Sequence, residues 1–511
     1  MHSISLSRFG HILCVLRERE CQCGPVLSHH FTDNNYQTDN GKDGSLHLLV
    51  PATSSNADLC KILLSASILG YPPAVLINWA APEDADPYVQ HLAKVWTILE
   101  YLDRLADSGK GDELVLIVDG FDVHFQLPPE VIISRYYQEN ARADKRVVDT
   151  VGEEMAAQYN MRQTVIFGHD KLCWPMDNRR PACWVVPEAS DSRWVYGPYT
   201  DTQAAYARAR WLNSGTVIGP VNDTRDVFRA TLDLIHTKHT TDSDQFYFAN
   251  LFGLQEFARK SVRTDEPFKD IKKSDVDWPV LEKGQRTEFF LGLDYEAIMF
   301  QTMAFFREYI TWVQFDLPAP KPDTWSIDNV QQRIVQDDWL RSRHLPDDVT
   351  TLSRGPFDAF LPDANIPASK TSSAEELSEI KAKSIPIHES WDALKLGANI
   401  ISNTIFPVLH FTGDKGFRDL WWPRMWYYPW GEQLLKAAVK RRLEEEEVYG
   451  RPSITSKTIG KKTWWFGEIV GTDVPDKVDW GTKGGAFGGN GTFLGWDQLC
   501  GMHEVSIFPQ K

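Results

Sequence analysis

Between residues 46 and 118 the apolar positions alternate between two kinds of pattern. Leu46-His-Leu-Leu-Val50, Ala74-Val-Leu-Ile-Asn-Trp79 and Leu114-Val-Leu-Ile-Val118 are short runs, nearly continuous in apolar residues. Such runs predict strands covered on both faces, since a half-exposed strand would alternate. The intervening stretches place Leu59, Ile62, Leu63, Ala66 and Leu69, and then Leu92, Val95, Trp96, Leu99, Leu102 and Leu105, at spacings of three and four. That period predicts helices over 57–69 and 89–107. Strand, helix, strand, helix, strand predicts an α/β fold with a doubly wound, mostly parallel sheet.

Further along, Pro128-Pro-Glu opens a helix, and Thr164-Val-Ile-Phe167 predicts a strand leading into Cys173-Trp-Pro. Trp211–Gly219 predicts a turn entering a strand, 223–236 a helix, and Asp242-Ser-Asp-Gln the start of another. Residues 1–44 show little periodicity and read as a poorly ordered leader. The core spans 45–309, and 310–400, rich in Pro, Asp and Ser, reads as a large insertion. Order returns over 401–430, and 431–511 forms an aromatic-rich C-terminal extension that opens with a helix over 431–447. The glycine-rich 481–491 stretch lacks the Gly-Lys-Ser/Thr ending of a phosphate loop and reads as a flexible loop.

Composition narrows the function classes. A net charge of −16 over 511 residues opposes general nucleic-acid binding, which needs a basic surface. No apolar run approaches the length of a membrane span. Seven cysteines do not make a disulfide scaffold. Cys173 and Cys183 are spaced so that they pair in an oxidising compartment or stay as two thiols elsewhere. Cys21 and Cys23 lack partners at zinc spacing.

The chemistry concentrates where the third apolar run stops. Asp119 and Asp122 end it, at the sheet edge where open α/β folds hold ligands. Two carboxylates there suit a hard divalent cation; capping a turn is the plainer alternative. Val408-Leu-His-Phe-Thr-Gly-Asp-Lys415 adds an imidazole, His410, at another strand end, with Gly413 and Lys415 suited to a diphosphate. Leu212-Asn-Ser-Gly215 offers Asn213 and Ser214 to sugar hydroxyls, though Asn-Ser-Gly also makes common turns. Asp242, Asp244 and Gln245 stand at a helix start, where capping competes for Asp242. Lys94 lies on the helix before the acidic turn.

Taken in order, Val118-Asp-Gly-Phe-Asp-Val, Cys173-Trp-Pro, Leu212-Asn-Ser-Gly-Thr-Val-Ile-Gly, Asp242-Ser-Asp-Gln-Phe, Leu293-Asp-Tyr-Glu-Ala-Ile-Met-Phe-Gln301 and His410-Phe-Thr-Gly-Asp-Lys form a pattern. It resembles the GT-A glycosyltransferase domain of the collagen lysyl hydroxylase/glucosyltransferase family. The last motif is also similar to that of glycogenin-type transferases. The resemblance implies Asp119, Asp122 and His410 as ligands of Mn2+, or of Mg2+, bridging the diphosphate of a UDP-sugar. It implies Lys415, Gly413 and Lys94 against that diphosphate, and Asn213, Ser214, Asp242 and Asp244 against the donor sugar. Asn213, Asp244 and Gln245 would act near its anomeric carbon, with a retaining outcome and a glycan or protein acceptor. It also implies the lumen of the endoplasmic reticulum or Golgi, although no clear signal peptide is present and the residues leave the cytoplasm open. Ser243 interrupts the family's acidic run, and no His-x-Asp…His triad of an iron hydroxylase occurs. A catalytically inactive nucleotide-sugar or glycan binder on the same fold is the other reading. The cluster Trp421–Trp430 reads as an acceptor groove or as a structural core.

Overall fold

The computed structural model describes residues 43–80, 87–189, 207–238, 243–263, 265–316, 344–361, 378, 381–399 and 401–509. Asp242, nearly all of the 1–44 leader and much of the 310–400 insertion lie outside the described residues. The three apolar runs are strands β1 (Gly44–Pro51), β2 (Ala74–Ile77) and β3 (Leu114–Val118), mutually parallel, with β1 in the middle. Between them run helices α1 (Ala57–Ile68) and α2 (Pro87–Asp107). Asn56 caps α1 by accepting from the Leu59 backbone N–H at 2.8 Å.

Alternate residues of these strands enter two different cores. Leu46, Leu48, Val50, Leu114, Leu116 and Val118 join one cluster, and Leu49, Val75, Ile77, Val115 and Ile117 the other. Both faces are therefore covered, which explains runs without alternation. Trp96 departs from its expected place in the α2 stripe, with 37% of its surface exposed.

After β3 the chain makes β4 (Val123–Phe125), then helices α3 (Pro129–Val151) and α4 (Glu153–Gln158), β5 (Val165–Asp170) and the short α5 (Pro181–Trp184). Strand β6 (Trp211–Pro220) leads into α6 (Val221–Lys238), and α7 (Asp244–Ser261) precedes β7 (Leu291–Leu293). Strand β6 lies antiparallel between β3 and β5, and β5 pairs in parallel with β7. Two small sheets follow, one of β4, β8 (Phe300–Thr302) and β12 (Val408–His410), the other of β9 (Ile310–Val313), β10 (Leu396–Asn399) and β11 (Thr404–Ile405).

The 431–511 segment completes the main sheet. Its strands are β13 (Ser453–Ile459), β14 (Lys462–Phe466), β15 (Gly485–Gly488) and β16 (Phe493–Gly495). Strand β14 pairs with the first half of β1, and β15 with β2, giving ten strands in order β16-β15-β2-β1-β3-β6-β5-β7, with β13 and β14 beside β1. Only β6, β13 and β16 run against the rest.

The glycine-rich stretch is thus a strand and its turns rather than a flexible loop. The reason is close approach: a Cβ on Gly485 would lie 2.2 Å from the Leu494 carbonyl oxygen. A disulfide from Cys60 on α1 to Cys500 fastens the C-terminal segment, and a second joins Cys173 to Cys183. Trp421, Trp422, Trp426 and Tyr427 are buried, so the aromatic cluster is mainly core.

Candidate active site

Strand pairing assembles the acidic turn. Asp119 follows β3, and its N–H donates to the Gly215 carbonyl of β6 at 2.8 Å. The chain then passes through Gly120, where a Cβ would lie 1.9 Å from the Pro51 carbonyl oxygen, so only glycine lets this turn rest on the end of β1. Asp122 leads straight into β4, whose antiparallel register with β12 sets Val123 opposite His410. The Phe411 N–H donates to the Asp122 carbonyl at 2.8 Å, closing a separation of nearly three hundred residues.

One ligand atom from each of Asp119, Asp122 and His410 lies within 4.8 Å of the other two. His410 Nε2 is 3.7 Å from Asp119 Oδ2 and 3.5 Å from Asp122 Oδ1. Donors sharing one ion at about 2.1 Å stand roughly 3.0–3.5 Å apart, so this spacing fits an ion better than strong hydrogen bonds. Asp122 Oδ1 is buried without a hydrogen-bond partner. A Cβ on Gly215 would sit 2.1 Å from His410 Cε1 and 2.6 Å from Asp119 Oδ2, so the cradle exists because residue 215 has no side chain. Two carboxylates and an imidazole make a donor set that fits a divalent cation.

Two lysines hold this cluster. Lys94 Nζ bonds Asp119 Oδ1 at 3.0 Å and pairs with Asp244 Oδ2 at 2.8 Å. Burial opposes its charge, but the two carboxylates outweigh burial and hold its pKa above the usual lysine value. Lys415 Nζ pairs with Asp122 Oδ2 and donates to the Phe411 carbonyl at 2.8 Å. Burial pushes Asp122 up, yet His410 and Lys415 together hold its carboxyl well below the usual carboxylate range. Gly413, in the left-handed region at φ +76°, turns the chain between His410 and Lys415.

Across the cleft Asn213 donates to Asp170 Oδ2 at 3.0 Å and accepts from the Gly215 N–H at 3.0 Å. Gln245 Nε2 donates to the same Asp170 oxygen at 3.2 Å. Asp170 ends β5 as Asp119 ends β3, and the sequence reading missed it. The signal was available: Val165-Ile-Phe-Gly-His-Asp170 is another apolar run stopped by an acid. Burial pushes Asp170 up to about 6 against the pull of the Asn213 and Gln245 amides. Ser214, Ser243 and Asp244 line the same cleft, and Ser243 Oγ is buried without a partner. Arg418 was also missed; it donates to the Phe121 carbonyl at 2.7 Å beside the acidic turn.

Asp119, Asp122, His410, Lys94, Asn213, Ser214, Asp244, Gln245, Gly413 and Lys415 thus all border one cleft of about 790 Å³. Its wall follows the sheet edge, from Asn78 after β2 and Pro51–Thr53 at β1, past the acidic turn of β3, to Asn213 of β6 and Asp170 of β5.

No family model matches the chain, and no curated protein does. Among solved structures, "a glycosyltransferase involved in the glycosylation of the major capsid of PBCV-1" is similar over 52% of this chain and 87% of its own, at 11% identity and a TM-score of 0.22. At that level of similarity, function is argued from the geometry of the cleft.

Proposed function

We propose that this protein is a divalent-cation-dependent glycosyltransferase that moves a hexose from a UDP-sugar to an acceptor hydroxyl. The observation that carries the reading is the convergence of Asp119, Asp122 and His410 in the wall of a cleft lined by amides and carboxylates. When bound, the ion offsets the charge that develops on the departing diphosphate. Asp119, Asp122 and His410 would hold Mn2+, with Mg2+ as the alternative.

The order of side chains along the sheet edge supports a donor laid across it. Pro51–Thr53 and Asn78 border the end we assign to the nucleoside. Lys415 and Arg418 supply positive charge next to the acidic turn, where the diphosphate would lie. Asn213, Ser214, Asp244 and Gln245 then surround the hexose, and Lys94 positions Asp119 and Asp244 rather than reaching the diphosphate itself. Asp242 keeps its donor-sugar role only as an expectation from sequence.

Transfer breaks the bond between the anomeric carbon and the β-phosphate oxygen, which keeps the electron pair. The acceptor oxygen bonds to that carbon. We assign retention, with the acceptor approaching the face the diphosphate leaves and its proton passing to the departing phosphate oxygen. Double displacement would instead use Asp244 or Asp170 as nucleophile. The two disulfides support an oxidising compartment such as the Golgi or endoplasmic reticulum lumen.

The test is UDP release from UDP-glucose, UDP-galactose and UDP-N-acetylglucosamine with and without Mn2+. Metal-dependent release that disappears in Asp119→Ala and Asp122→Ala supports the reading. Activity intact in both variants ends it. Metal-dependent UDP binding without release from any donor or transfer to any acceptor favours the inactive binder.

A further inference from the structure

Phe305 is an anomaly at the cleft wall. Its φ is +61°, a conformation that disfavours residues with a Cβ, and 46% of its surface is exposed. The ring makes no aromatic or cation contact among the described residues. Asn or Gly would turn the chain there with less strain. Strained residues persist where their surroundings over-determine them, and here they do. Thr412 Oγ1 accepts from the N–H groups of Met303 at 3.0 Å and Ala304 at 2.8 Å, tying the loop to the chain that carries His410.

The same loop is locked to the end of β5. Lys171, next to Asp170, is buried with Nζ 4.4 Å from the Phe306 ring centre and 3.9 Å from that of Tyr309. His169 packs edge-on against Phe306 at 5.0 Å. Three residues past Lys171 stands Trp174, 57% exposed, beside the Cys173–Cys183 disulfide. Two exposed aromatic rings thus come from two loops fastened together, and both line the cleft. Trp174 follows β5, which ends in Asp170, and Phe305 follows β8, the neighbour of β12 that carries His410; neither strand adjoins β1 or β2, where Pro51–Thr53 and Asn78 lie.

We propose that Phe305, with Trp174 of the joined loop, forms the acceptor platform, and that the acceptor is a saccharide whose pyranose ring stacks on these rings. The inference rests on the glycosyltransferase reading above. A pyranose has an apolar C–H face and a polar edge. Separate aromatic faces bordered by Asn213, Gln245 and Asp170 match that division, whereas an apolar peptide would need a continuous groove.

The experiment measures UDP release by the full chain with Mn2+, with and without added acceptor probes. The probes are the methyl glycosides of glucose, galactose, mannose and N-acetylglucosamine, and serine- and hydroxylysine-containing peptides. At least one methyl glycoside should stimulate release. Phe305→Ala should raise the KM for that glycoside about tenfold while changing the donor KM far less. Phe305→Tyr should restore it, and Phe305→Asn should show the same acceptor defect without a lower thermal midpoint. The proposal is overturned if only peptides stimulate, if nothing stimulates a wild type that hydrolyses its donor, or if acceptor KM is equal in Phe305→Ala. Absence of Mn2+-dependent UDP binding would instead overturn the underlying reading of the site.

Discussion

A methyl group at residue 215 would overlap His410 Cε1, at 2.1 Å, and crowd Asp119 Oδ2, at 2.6 Å, so Gly215→Ala tests the metal cradle without removing any ligand. Calorimetric titration of the folded protein with Mn2+ should show affinity reduced by at least about tenfold, alongside a stability loss of about 1–3 kcal/mol from the overlap itself. Equal affinity would mean that the ion sits elsewhere. Asp170→Leu tests the other wall: it removes the acceptor for the Asn213 and Gln245 amides while keeping a side chain of similar shape. Release of UDP should fall about 100-fold with Mn2+ affinity retained, the usual scale for losing an oriented polar group at a reaction centre. At this scale the sequence was partly legible. Acids at the ends of apolar runs were visible as Asp119 and Asp122, yet Asp170 carried the same signal and was passed over. Which lysine serves which carboxylate was not legible, because Lys94 and Lys415 meet their partners only through packing.

Among elements, the β4–β12 register does the assembling. It places His410 against Val123, a pairing that no spacing in the chain announces, since it depends on how a three-residue strand aligns. Helices and strands of the first half followed from periodicity because each buries its own stripe or face. The C-terminal strands did not, because Gly485–Gly488 offers no side-chain pattern and joins the sheet through close backbone approach. The turn between β7 and β8 depends on Asp294, which accepts from the N–H groups of Ile298, Met299 and Phe300 at 3.0, 2.8 and 2.7 Å. Burial outweighs these bonds and raises its pKa to about 7. The folded state therefore keeps a proton that the unfolded chain releases near pH 4, so this group favours folding below about pH 4 and that contribution is lost as pH rises to about 7. The stability difference between wild type and Asp294→Asn should shift against the wild type over that window by up to about 4 kcal/mol. Urea unfolding at several pH values checks it; a flat difference would mean that Asp294 stays charged in the fold.

Over the whole molecule, the C-terminal segment is part of the sheet that positions the site, and Cys60–Cys500 ties that segment to α1. Cys60→Ser should lower stability by about 2–5 kcal/mol, read as a lower thermal midpoint, and an unchanged midpoint would show that packing alone holds the segment. The net charge of −16, and a cleft in which Lys94, Lys415 and Arg418 are each already paired with a carboxylate, make an anionic donor a poor ligand by itself. A divalent cation resolves that conflict, so binding of UDP should depend on the ion rather than merely gain from it. The most direct measurement is calorimetric titration of the full chain with UDP, with Mn2+ and with the chelated protein. An ion-bridged donor site predicts saturable binding with Mn2+, binding at least about 100-fold weaker without it, and loss of the ion-dependent part in Asp122→Ala. UDP binding of equal strength with and without the ion, or unaltered in Asp122→Ala, would contradict it.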